Sequence, residues 1–181
     1  VSKASVSSSR EYLQNIERIR NYYGIDSKNI ALEITEFANQ GLKKFTHRSL
    51  SCGYEVSVDD FASEHSAPGK VIFGVLAGIP QDKYSKVNIK LDRSFVGHIY
   101  NRSNPNYNIG KGVFQSFLGF KKDYPTLTLI AEGVENLEVA EYLKNRGVDY
   151  GQGFYWQKPM EFNEYVQPKH SEYRLQKSFD F

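Results

Sequence analysis

The chain has 181 residues, 40% of them hydrophobic and 24% charged, and a formal net charge of +2: enough for one domain with a real core, but short for a complete (β/α)8 barrel. That charge, with Lys and Arg scattered among Asp and Glu, is too small to argue for nucleic-acid or membrane binding, and no nucleic-acid partner is expected. A single cysteine, Cys52, excludes an internal disulfide and fits a reducing cytosol; no apolar run approaches the roughly 18 residues of a membrane helix, and residues 1–5 lack a signal-peptide stretch.

Along the chain, helical and strand signals alternate. Ser8 and Glu11 have capping-box spacing, and Leu13, Ile16, Ile19 and Tyr22 or Tyr23 recur at helical spacing, predicting a helix that Gly24 ends. A strand follows over 29–35, a helix over about 40–51 closed by Gly53, and a second strand over 54–59. After an irregular stretch and the apolar segment 71–79 comes a third strand over 86–92. Residues 114–120 read as part of a helix and 126–132 as a fourth strand. Val139, Ala140 and Leu143 mark a further helix ending near Gly147, and a last short strand begins near Val148. This order predicts an α/β fold with a parallel sheet and crossover helices. About five strands are visible, where a closed barrel needs eight.

Alternate strand residues face opposite sides of a sheet. Ile30, Leu32 and Ile34 therefore oppose Ala31, Glu33 and Thr35, and Val56 and Val58 oppose Ser57 and Asp59. Val87, Ile89 and Leu91 oppose Asn88, Lys90 and Asp92, while Leu127, Leu129 and Ala131 oppose Thr128, Ile130 and Glu132. Each strand thus carries an ionisable residue near its C-terminal end, on the face away from the helices. Barrels of this class place their active sites at that end. Carboxylates converging there would repel unless neutralised, and hard divalent cations such as Mg²⁺ or Mn²⁺ suit carboxylate oxygens. The alternative is that these are surface strand-end acids paired with Lys or Arg.

Five motifs fall at these positions in order. They are Leu32-Glu33-Ile34-Thr35-Glu36, Val58-Asp59-Asp60-Phe61, Lys90-Leu91-Asp92-Arg93-Ser94-Phe95-Val96, Ala131-Glu132-Gly133-Val134-Glu135, and Gln152-Gly153 followed by Lys158-Pro159. Together they resemble the E-x-T-E, D-D-F, K-I-D-R-S-F-V, A-E-G-V-E and closing Q-G and K-P motifs of EAL-type cyclic-di-GMP phosphodiesterase domains. The resemblance implies a modified (β/α)8 TIM-type barrel, here a single EAL-like domain over 1–181 with a tail over about 168–181. It implies a cytoplasmic hydrolase of bacterial signalling that converts cyclic-di-GMP to linear pGpG with two Mg²⁺ or Mn²⁺ ions. Glu33 and Asp59 would bind one cation, and Asp59 would bridge to a second held with Asp60 and Glu132. Lys90 would orient or deprotonate the attacking water. Asp92 and Gln152 would position the water, the lysine or the second metal site, and Glu36 would steady the loop after the aspartate pair.

Two departures accompany the resemblance. Nothing matches the family's opening E-A-L strand, with its metal-binding Glu and nearby phosphate-contacting Arg. The Asn of the next strand is also missing, since Val1-Ser2 falls at or just after its position. The expectation is an incomplete barrel that begins inside the second strand. The loop after Phe61 also reads Ala62-Ser63-Glu64-His65-Ser66-Ala67-Pro68 in place of the family's G-T-G-Y-S-S-L, losing both glycines. These departures predict weak metal binding and low activity for the chain as given, and self-association or a homodimer through open sheet edges. They leave open a non-catalytic module that binds cyclic-di-GMP or a protein partner. An upstream sensor or cyclase domain is a further expected partner. Other chemistries fit less well: Pro68-Gly69-Lys70-Val71 lacks most of a phosphate loop, and His47, His65, His98 and His170 lack zinc-ligand spacing.

Overall fold

A computed structural model of the chain describes residues 9–35, 41–61, 76 and 79–165. In chain order these form α1 (Ser9–Tyr22), a 3-10 turn (Ser27–Asn29), β1 (Ala31–Thr35), α2 (Gly41–Ser51) and β2 (Glu55–Phe61). A second 3-10 turn (Gln81–Lys86) leads to β3 (Val87–Leu91), α3 (Arg93–Tyr100), α4 (Tyr107–Asp123), β4 (Thr128–Glu132), α5 (Leu137–Lys144), β5 (Tyr150–Gln152) and α6 (Phe162–Tyr165). Glu36, the 62–70 loop and the expected tail over 168–181 lie outside the described residues, as does the apolar segment 71–79 apart from Leu76 and Ile79.

All four strand pairs are parallel, and the sheet order is β1-β2-β3-β4-β5, the same as the sequence order. Consecutive parallel strands, with described helices in the β1–β2, β3–β4 and β4–β5 connections, make an incomplete (β/α)8-type barrel, with β1 and β5 as edges among the described residues. The two-residue period sorts the side chains as expected. Leu32, Ile34, Val56, Val58, Val87, Ile89, Leu91, Leu129 and Ala131 are buried on the helix side, where each large side chain removed from water contributes about 1.5–3 kcal/mol. On the opposite face Ser57, Asn88 and Lys90 are also buried.

Two parts of the fold differ from the sequence expectation. In α1, Leu13 is buried and Ile16 half-buried, but Ile19 and Tyr22 are exposed. At 3.6 residues per turn, the positions stacked beneath Leu13 are Glu17 and Arg20, not Ile19. Those two polar groups point inward because they meet the phenol of buried Tyr54, which donates to Glu17 while Arg20 Nε donates to it at 3.1 Å. The second difference is α3, which the sequence reading did not anticipate. Asp92 caps it by accepting from Ser94 N at 2.8 Å, and Phe95, Val96 and Ile99 form its buried face. The reading had assigned Asp92 a chemical role and passed over its capping signal.

Candidate active site

The site is built at the C-terminal ends of β1 to β4, and the backbone register brings its residues together. Thr35 pairs with Asp59, which sets Asp59 two residues above the level of Glu33. Between β2 and β3 the pairing runs Val58 to Ile89 and then Phe61 to Leu91, so β2 takes three steps where β3 takes two. The extra residue is a bulge in which Asp59 and Asp60 stand opposite Lys90. Bulges bend the strand and re-aim side chains, which is what an alternating strand needs at an acidic pair. The side chain of Asp60 lies outside the described residues, so only its backbone position in β2 is placed.

Lys90 is the hub. Its Nζ lies 3.0 Å from Glu33 Oε1, 3.0 Å from Asp59 Oδ1 and 2.7 Å from Glu132 Oε1, so no two of these oxygens are more than about 6 Å apart. The lysine side chain is 9% exposed, Glu132 21%, Asp59 23% and Glu33 58%. Burial works against the lysine's charge. The hydrogen bonds to Glu132 and Glu33 and the pairing with Asp59 outweigh it and hold the ammonium well above the usual lysine range. Glu132 moves upward as well: its burial, together with the negative charges of Asp59 and Asp92, outweighs the attraction of Lys90. Asp59 Oδ1 is buried, and the Lys90 ammonium at 3.0 Å is its ion-pair partner.

Beneath the hub, Asn88 Nδ2 donates to Glu55 Oε2 at 3.2 Å and to Ser57 Oγ at 3.3 Å, filling the strand interior with satisfied polar groups. Around it, two loops are braced by contacts the motifs alone did not reveal. Val134 N donates to Gln152 O, and Tyr155 N donates to Val134 O, both at 3.1 Å. These bonds cross directly over Gly153, where an added Cβ would sit 2.1 Å from Val134 O. Gly133 has φ +67° and leaves room for the Arg93 stem, whose guanidinium pairs with Glu135. Gln152, opposite Glu132 in the β4–β5 register, is exposed. Asp92 is occupied in capping α3, with Ser94 N and Ser94 Oγ both donating to its Oδ1.

The donor chemistry fits a hard divalent cation: three carboxylates from three strands converge on one point. Among the described residues no three His, Cys, Asp or Glu side chains are already grouped tightly enough to hold a metal ion, because Lys90 stands between the acids. No described helix is long and apolar enough to cross a membrane.

Relatives carry the same architecture. The chain is 29% identical over 163 residues to "Probable cyclic di-GMP phosphodiesterase PdeN" of Escherichia coli, covering 87% of this chain and 28% of that protein. It is 32% identical over 141 residues to "Cyclic di-GMP phosphodiesterase PdeA" of Borreliella burgdorferi, covering 75% of this chain and 18% of that protein. Among solved structures, the EAL enzyme Bd1971 in its cAMP- and cyclic-di-GMP-bound form superposes with a TM-score of 0.72 at 28% identity, over 91% of this chain and 40% of that one. The chain therefore spans less than a third of these curated relatives and less than half of Bd1971. The EAL domain pattern itself matches residues 1–159, and the chain belongs to the EAL domain family.

Proposed function

We propose that the EAL domain to which these residues contribute is a metal-dependent phosphodiesterase that hydrolyses cyclic-di-GMP to linear pGpG. The observation that carries this reading is the meeting of Glu33, Asp59 and Glu132, from three different strands, at one point beside Lys90. Names of the relatives point the same way, since PdeA is called a cyclic di-GMP phosphodiesterase and Bd1971 has been solved with cyclic-di-GMP. Glu33, Asp59, Asp60 and Glu132 would hold Mg²⁺ or Mn²⁺. Bound there, such ions supply a polarised phosphate and a water that loses its proton near neutral pH.

The chain's own side chains do the rest. Lys90, beside Glu33, Asp59 and Glu132, would orient the attacking water or assist its deprotonation. Asp92 sets the start of α3 beside the mouth. Gln152, level with Glu132 in the strand register, would contact the water or the scissile phosphate. The free, exposed Cys52 suits a reducing cytosol.

The test is turnover of cyclic-di-GMP by the whole protein with Mn²⁺, with and without a chelator, followed by chromatography of pGpG. Glu132→Gln and Asp59→Asn should each lower the rate by roughly 100-fold or more, the scale of losing one preorganised electrostatic contact. Metal-independent turnover, or full activity in Glu132→Gln, contradicts the proposal. Tight cyclic-di-GMP binding without turnover under any metal establishes the non-catalytic module instead.

A further inference from the structure

The mouth of the strands already contains a cation. Lys90 is nearly buried, rises from β3 at the middle of the sheet, and contacts one acid from each of β1, β2 and β4. Three carboxylates this close would repel one another unless a positive charge stood between them, and Lys90 Nζ is within 3.0 Å of all three. We infer that Lys90 is the resident counter-ion that holds Glu33, Asp59 and Glu132 together before metal binds, and that an entering metal ion must compete with its ammonium for the same oxygens. The competition part rests on the metal reading above; the counter-ion part does not.

Among the described residues every ion pair Lys90 makes goes to this acid cluster, and its helix-side neighbours Ile89 and Leu91 are fully buried apolar groups. The acids differ in their access to water: Glu33 is more than half exposed, whereas Asp59 and Glu132 are each less than a quarter exposed. Losing the ammonium would therefore bear hardest on Asp59 and Glu132, the two less exposed acids. The same loss would leave an unbalanced negative site, which a divalent cation fills more readily than the balanced one.

The experiment compares the whole protein with its Lys90→Met variant, which keeps the aliphatic bulk, by thermal unfolding in EDTA and by calorimetric titration with Mn²⁺. In EDTA the variant should melt roughly 6 °C or more below the parent, the consequence of breaking a buried ion pair in a chain of this size. Mn²⁺ should restore most of that loss and bind the variant at least about tenfold more tightly than the parent, because the competing charge is gone. Equal melting in EDTA overturns the counter-ion assignment. Weaker or equal Mn²⁺ binding by the variant overturns the competition. If neither protein binds Mn²⁺ while the EDTA difference stands, the metal reading of the site fails and the counter-ion survives it. Should Lys90→Met not fold, adding Glu33→Gln and Glu132→Gln must restore folding, since repulsion would then be removed. Continued unfolding of that triple variant overturns the assignment and makes the packing of the lysine stem the reason.

Discussion

Gly153→Ala tests how the β4–α5 loop is tied to β5. The added Cβ would lie 2.1 Å from Val134 O, 2.5 Å from Val134 N and 2.7 Å from Val134 C, all backbone atoms that no rotamer change can move. Those atoms make the two 3.1 Å hydrogen bonds, to Gln152 O and from Tyr155 N, that fasten the loop. Relieving the overlap means lengthening or breaking both bonds, each with a net value of about 0.5–1.5 kcal/mol. Overpacking strain adds about 1–3 kcal/mol. The expected loss is therefore about 2–6 kcal/mol, a large share of the stability of an ordinary domain. Urea unfolding of the whole protein followed by the fluorescence of Trp156, which sits three residues away, should show the midpoint falling with little change in slope. A midpoint within experimental scatter of the parent would refute the close approach of Gly153 to Val134, and with it the stated geometry of the loop that follows Glu132.

Three further outcomes are expected. Tyr54 is pushed up to about 12 by burial and then by its bond to Glu17. Its contribution to folding should be complete below the ordinary tyrosine range near 10 and vanish as pH rises through about 12. Tyr54→Phe should remove that alkaline loss, and an unchanged stability profile above pH 10 would count against the Glu17–Arg20–Tyr54 cluster. Asp149→Asn should cost about 1–3 kcal/mol by weakening the 2.7 Å bond from Leu129 N and the Lys121 ion pair, measured by chemical unfolding; a change below 0.5 kcal/mol contradicts those contacts. Finally, β1 and β5 are edges among the described residues; light scattering should show self-association where no other segment covers them, and a monodisperse monomer would mean that other residues do.

Much of the fold was readable because a two-residue period leaves a clear mark. Leu32 and Ile34, Val56 and Val58, Val87, Ile89 and Leu91 all fall on the helix side, so the faces of β1 to β3 follow from alternation alone. Alternation also put Glu33, Asp59, Lys90 and Glu132 on the other face. What it could not supply was their meeting point, which depends on the register between strands and on a bulge whose extra residue leaves no compositional trace. The apolar stripe of α1 misled for a related reason. Glu17 and Arg20 turn inward only because Tyr54, more than thirty residues later, offers them a phenol. Helix α3 escaped notice because Asp92 bears two meanings, a cap and an acid near a site, and only coordinates show that Ser94 claims one of its oxygens.

The most direct measurement of the central claim is anomalous diffraction from crystals of the protein grown with Mn²⁺. The account predicts a manganese peak bounded by the carboxylates of Glu33, Asp59 and Glu132, with Lys90 Nζ moved from its place between them. A peak elsewhere, or an acid cluster still closed on Lys90 at saturating Mn²⁺, would contradict it.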